Sequence, residues 1–336
     1  MNKMDFANYV YSFFIKYLPS QRGLSSQTIT SYSYSLTLFY QYCYSVKNIR
    51  QEKLTLDKIS KTLIEDFISW LEIERKNSAS TRNQRLSALK SLFLYIQSES
   101  VIHTALCRDI LSIPEKKTPV NPPKYLTVAE TEVLFAMPDI QTKQGRRDLT
   151  LLLLLYDTGA RAGELIELKG GDVVFGNNPT IKLFGKGRKT RVVPIMPKTA
   201  DILRGYMREN SLLEQTQLLF QNRSHTKLTT TGVSYILKKY VEQGKQLNQE
   251  MFNIAVSPHL LRSTKASHLV QGGANIFYVR DFLGHNSVVT TERYAKNNPE
   301  VVREAIKNAS ANLFVNADFY DKNEKFAMLE FLKTLQ

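Results

Sequence analysis

The chain of 336 residues has two cysteines, Cys43 and Cys107. Two thiols so far apart build no disulfide framework, and neither sits at the spacing of a zinc ligand set. Cys43 falls in an apolar-aromatic run and reads as a core residue. Long hydrophobic runs are also missing. The longest, Leu151–Tyr156, is far short of the roughly 20 residues that cross a bilayer. The opening stretch "MNKMDFANYVYSFFIKYLPS" lacks a clean apolar segment followed by a cleavage site, so no signal peptide is read and a cytoplasmic protein is expected. There is no Walker loop, no internal repeat and no low-complexity segment. Acidic residues are scarce: 31 Asp and Glu face 45 Lys and Arg, a net charge of +14. An excess of that size points to a polyanionic partner, nucleic acid first.

The positive charge is spread along the chain. Residues 1–113 hold 14 Lys and Arg against 9 Asp and Glu, and the stretch from 126 onward holds 28 against 21. Helical spacing dominates the first part. Ile29, Tyr32, Leu36, Phe39, Tyr40 and Cys43 form one apolar stripe after a Ser25–Ser26 cap. Ile59, Leu63, Phe67, Trp70 and Leu71 form a second, and Leu86, Leu89, Phe93 and Ile96 a third. No strand pattern appears there. "IPEKKTPVNPPKY" then carries four prolines in thirteen residues, which excludes a helix and marks a linker. Beyond it, Thr127 and Glu130 form a capping box, and "RRDLTLLLLLYDTG" reads as a buried helix ended by Gly159. Three short β-prone runs, Val173–Phe175, Thr180–Phe184 and Thr190–Ile195, predict a small antiparallel meander inside an otherwise helical domain.

The side chains suited to chemistry lie late. "SPHLLRSTKASHLVQGGANIFYVRDFLGHNSVVTTERYA" (Ser257–Ala295) holds three of the five histidines. With "YDTGARAGELIEL" and "FGKGRKTRVVPI" before it, the order is Arg161, Lys186, His259, Arg262, His285, Tyr294. No DxD or HExxH pattern accompanies these positions. The series resembles the tyrosine recombinase (phage integrase) family, whose members carry Arg, Lys, His-x-x-Arg, His and Tyr in this order. The resemblance covers the whole chain in layout and residues 126–300 in specific motifs.

It implies a mainly α protein: an all-α, SAM-like core-binding domain over 1–113, a Pro-rich linker over 114–125, and an α+β catalytic domain over 126–310. A C-terminal tail over 311–336 would be exchanged between protomers. The two domains would form a C-clamp on double-stranded DNA, and a homotetramer would act on two recombination sites. Neither a metal nor another cofactor is expected.

Charge chemistry fits the same residues. Phosphodiester exchange builds negative charge on two non-bridging oxygens, and Arg161 and Arg262 can hold these bidentately while staying charged. Tyr294 is the candidate nucleophile, although a phenol with an ordinary pKa near 10 needs a base or a positive field. Lys186, at a Gly-flanked hairpin tip, is the candidate acid for the leaving 5′ oxygen. His259 and His285 can touch the phosphate or handle the tyrosine proton. The resemblance gives the proton to His259 and the oxygen contact to His285; the residues themselves leave the division open. Glu164, one turn after Arg161, is expected to hold that arginine rather than touch the substrate.

Other positions carry weaker signals. Arg82, Arg85 and Lys90 are candidate phosphate contacts on a helix of the first domain. His103, His225 and His268 match no motif position and read as structural or surface residues, and Tyr278 reads as a packing residue. In the tail, Phe326, Leu329, Leu332 and Leu335 line one apolar face. Three other activities stay open: a topoisomerase-like or hairpin-resolving strand transferase, an inactive DNA-binding accessory factor, and a metal-dependent phosphodiesterase.

Overall fold

The structure, a computed structural model, describes residues 6–119, 123–185, 189–212, 216–285 and 287–295. The chain divides into two compact units, Met1–Val120 and Asn121–Gln336. Among the described residues no helix is long and apolar enough to cross a membrane.

Every regular element described in the first unit is helical. Helix α1 (Phe6–Ser12) runs on as a wider π-helical segment, Phe13–Gln21, which accommodates Pro19. Helices α2 (Ser26–Ser45), α3 (Lys61–Ile73), α4 (Ala79–Glu99) and α5 (Thr104–Leu111) follow. Three of them start on a serine whose hydroxyl accepts a backbone N–H of the first turn: Ser25, Ser60 and Ser78. The three apolar stripes meet in one core, where Phe39 stands edge-on to Phe67 with ring centroids 5.3 Å apart. Leu86, Leu89, Phe93 and Ile96 are all fully buried there. Burying a side chain of that kind contributes about 2 kcal/mol. Cys43 and Cys107 are buried free thiols in the same core.

The proline-rich stretch is not free along its whole length. Pro114 O accepts from Arg82 Nη1, and Asn83 exchanges two hydrogen bonds with the Lys116 backbone at 2.8 and 3.1 Å. At the other end Leu126 N donates to Thr264 Oγ1 at 3.0 Å.

The second unit opens with α6 (Val128–Ala136), entered through the Thr127–Glu130 capping box. In α7 (Lys143–Asp157), Leu151, Leu152, Leu154 and Leu155 are fully buried. Its Asp148, also fully buried, accepts from Arg147 at 2.6 Å and from Tyr240 Oη at 2.9 Å. A short helix, α8 (Ala162–Leu165), leads to strands β1 (Val173–Val174), β2 (Thr180–Phe184) and β3 (Thr190–Pro194). They form an antiparallel sheet in the order β1-β2-β3, with Leu183 opposite Arg191. Two of the strands end one residue short of the β-prone runs. Along β2 the buried Ile181 and Leu183 alternate with the outward Lys182 and Phe184, as a half-buried strand requires.

Helices α9 (Pro197–Glu209), α10 (Thr230–Leu247), α11 (Pro258–Gln271), α12 (Ile276–Leu283) and α13 (Val289–Ala295) follow among the described residues. Tyr278 corrects the sequence reading: it is 75% exposed and belongs to no core cluster among the described residues. Helix α12 is eight residues long and buries Val279 and Leu283, four apart, so the residue next to Val279 turns outward. Lys186 and the tail face of Phe326, Leu329, Leu332 and Leu335 lie outside the described residues.

Candidate active site

The site begins where α7 ends. Gly159 turns the chain in the left-handed region, at φ 56°, and a Cβ there would meet Leu283 Cδ2 at 2.9 Å. Arg161 follows as the residue before α8. Its backbone N–H donates to Glu164 Oε2 at 2.9 Å and its Nη1 to Oε1 at 2.8 Å. The arginine side chain keeps 42% of its surface exposed, whereas that of Glu164 keeps 5%. Burial pushes the Glu164 carboxyl up, but hydrogen bonds from Arg191 and Arg161 outweigh it and hold the group below the ordinary carboxylate range.

Arg191 was not among the candidates. It lies on β3 and donates Nη1 and Nη2 to the two oxygens of Glu164 at 3.1 and 2.8 Å, and Nε to Phe282 O at 3.1 Å. The sequence signal is only partial, since the adjacent Val192 and Val193 are both apolar and do not tell which strand face is buried. Arg191 shares a strand face with Val193 by period 2, and Val193 is buried.

Ser257 caps α11 and Pro258 occupies its first turn, so His259 and Arg262 fall one turn apart. His259 is exposed. Arg262 is fully buried: Nη1 donates to Gly159 O at 2.6 Å and Nη2 to Leu283 O at 2.5 Å. Its Nε has no hydrogen-bond partner among the described residues. Burial, with repulsion from Arg161 and Arg191, lowers its pKa to about 9, so it stays a cation at neutral pH.

Helix α12 ends at Gly284 in the left-handed conformation, φ 65°, and His285 N then donates to Arg280 O at 3.0 Å. That turn presents His285 beside the arginines. Burial and the charges of Arg262, Arg161, His259 and Arg191 push its pKa down to about 4, so the imidazole is neutral at pH 7. Its Nδ1 lies 2.9 Å from Thr291 Oγ1. On α13, Tyr294 is 8% exposed and its hydroxyl lies 3.4 Å from Ser263 Oγ, at the long limit of a hydrogen bond. Tyr294 acts electrostatically on Arg262. Arg161, His259, Arg262, His285 and Tyr294 are therefore neighbours, with Glu164 as the carboxylate among them. Among the described residues no group of three or more His, Cys, Asp or Glu is arranged to hold a metal ion.

The remaining candidates are in the first unit. Arg82 is 6% exposed and gives Nη1 to Asn83 Oδ1 and Pro114 O, so here it braces α4 against the segment after α5. Arg85 donates to Ser35 Oγ at 3.1 Å and lies over the Tyr34 ring, 4.8 Å from its centroid. Lys90 is half-buried on α4. In the second unit His268 is a bracket: Nδ1 meets Tyr156 Oη at 2.8 Å and Nε2 meets Leu126 O at 2.9 Å.

Three arginines and two histidines around one phenol, with a single carboxylate to hold two of the arginines, suit an anionic substrate rather than a neutral one. Residues 124–300 match the phage integrase family and residues 12–100 its N-terminal SAM-like domain. The chain is 33% identical to the proposed integrase/recombinase y4rC of Sinorhizobium fredii, covering 84% of this chain and 85% of that protein. It is 31% identical to the tyrosine recombinase XerC of Oceanobacillus iheyensis, over 87% and 92% of the two chains. The fold is similar to that of the XerH site-specific recombinase bound to a palindromic difH substrate, at a TM-score of 0.67 and 24% identity, covering 85% of this chain and 81% of XerH. The chain belongs to the phage integrase family and is a site-specific recombinase of the tyrosine class.

Proposed function

We propose that this recombinase cuts and rejoins double-stranded DNA through a 3′-phosphotyrosine on Tyr294, with four protomers acting on two sites. The observation that carries the reading is the meeting of Arg161, Arg262, His285 and Tyr294, far apart in sequence, within electrostatic reach of one another. Arg161 and Arg262 hold the two non-bridging oxygens and stabilise the charge that builds on them. The Tyr294 oxygen attacks phosphorus in line and the bond to the 5′ oxygen breaks. His259 takes the phenol proton and Lys186 gives one to the departing oxygen. The neutral His285 donates its single N–H to a phosphate oxygen. A 5′ hydroxyl from another strand reverses these steps, and the phosphotyrosine bond keeps the energy, so no nucleotide is consumed. Arg262 is fully covered and Tyr294 nearly so, and in this reading DNA binding opens the site.

The assignment of Lys186 has its own test. On an ordinary substrate Lys186→Ala should cleave poorly. A scissile phosphate with a bridging 5′ sulfur has a leaving group that needs no proton, and single-turnover cleavage of it should recover. Equal impairment on both substrates would make Lys186 a phosphate or groove contact instead.

The C-terminal segment bears on assembly. Residues 312–336 carry three Lys against four Asp and Glu, a poor composition for gripping DNA, and include the apolar stripe from Phe326 to Leu335. In this reading the stripe docks on a neighbouring protomer and closes a ring of equivalent contacts. Deleting residues from Phe326 onward should leave single-site binding nearly intact and abolish cooperative filling of paired sites in a band-shift series. Retained cooperativity would place the assembly contact elsewhere.

A further inference from the structure

The Arg161–Glu164 pair poses an electrostatic problem that Arg191 can solve. Glu164 is almost fully buried and its carboxylate accepts from both the backbone and the guanidinium of Arg161. Alone, the two would make a closed, neutral pair. An arginine whose charge is matched by a carboxylate 2.8 Å away has less to offer a phosphate. Arg191 changes the balance. Its two Nη atoms fork onto both oxygens of Glu164, and its side chain is only 12% exposed. Bidentate forks of this kind are the stronger guanidinium contacts. One carboxylate is then shared by two cations, and the surplus positive charge faces the site through Arg161, the more exposed of the two.

The same side chain is also a mechanical tie. Arg191 belongs to β3, opposite Leu183 of β2, in the hairpin closed by Gly185 N donating to Lys189 O at 2.8 Å. Its Nε reaches Phe282 O in the last turn of α12, three residues before His285. Gly284 leaves room for it, since a Cβ there would stand 3.2 Å from Arg191 Cδ. Strand β3, the Arg161–Glu164 turn and the turn before His285 thus share one guanidinium.

We propose that Arg191 is a positioning residue that neutralises Glu164, frees the Arg161 guanidinium for the scissile phosphate, and locks the β2–β3 hairpin to the turn that presents His285. This rests on the reading of Arg161 as a phosphate clamp. Arg191→Met keeps an unbranched aliphatic stem and removes the charge and the guanidinium hydrogen bonds. Single-turnover cleavage at saturating DNA should slow by roughly 10-fold or more, yet less than the loss expected for removing Arg161 itself. Arg191→Lys returns the charge without the fork and should recover part of the rate.

The deciding variant is the double substitution Arg191→Met with Glu164→Gln. If the uncompensated carboxylate is what draws Arg161 away, neutralising it should restore part of the cleavage lost in Arg191→Met. A residue that only supports the fold predicts the reverse, a double variant that is worse than either single one. That result would overturn the proposal. Should Arg191→Met fail to fold, Arg191→Lys with and without Glu164→Gln gives the same comparison. Two results tell the clamp from its support. If Arg161→Ala cleaves at the wild-type rate, the clamp reading fails. If Arg161→Ala is slow and Arg191→Met is not, the role given to Arg191 fails alone.

Discussion

Replacing either clamp arginine by alanine should slow strand cleavage by roughly 10²–10³-fold, the loss seen when one charge-stabilising donor is removed from an active site. The two variants should differ in a second property. Arg161 is exposed along nearly half its side chain, and its local partner Glu164 keeps the Arg191 fork when it is gone. Arg161→Ala should therefore melt close to the wild type. Arg262 is fully buried and satisfies the carbonyls of Gly159 and Leu283. Arg262→Ala leaves those two oxygens without their donor, at a cost of about 1–3 kcal/mol for each that stays dry. It should lose both chemistry and several degrees of melting temperature.

Lysine at either position keeps a charge but not the fork, so recovery should be partial. Full activity of both lysine variants would argue that these arginines are not clamps. Cleavage by the wild type should persist in excess chelator, because the charge stabilisation is assigned to guanidinium groups. Loss of activity that added Mg²⁺ restores would return the metal-dependent phosphodiesterase to consideration.

Much of the fold was legible because its signals are local. Three apolar stripes at helical spacing became one core, and the Thr127–Glu130 box opened α6 as read. The sheet followed from three β-prone runs separated by Gly-rich turns. The family was legible because its motif is an order of residue types along the chain. What stayed hidden depends on which neighbour a side chain meets. "GRKTR" offers three cations in five residues, and only strand register and the packing of α12 turn Arg191 onto Glu164. Arg82 reads as a candidate phosphate contact in the sequence, because nothing local shows that the chain returns after α5 to offer it Pro114 O. Tyr278 read as a packing residue because aromatic side chains in short helices often are; the phase of α12 is set by Val279 and Leu283.

Everything in the mechanism depends on one bond, between phosphorus and the hydroxyl oxygen of Tyr294. The chain has 17 tyrosines, and the assignment rests on this one lying beside Arg262 and Ser263 on the helix after His285. Phenylalanine differs by the single oxygen that attacks. Tyr294→Phe should keep DNA affinity, since no backbone group depends on that hydroxyl among the described residues, and should show no cleavage at any enzyme concentration. The direct measurement uses a substrate nicked close to the scissile phosphate, so that the 5′ hydroxyl diffuses away and the intermediate cannot reverse. Wild-type protein should accumulate a covalent DNA adduct that survives denaturing electrophoresis, and proteolysis should place the nucleotide on the peptide containing Tyr294. An adduct on any other residue, an adduct retained by Tyr294→Phe, or cleavage by the wild type with no covalent linkage would contradict the account.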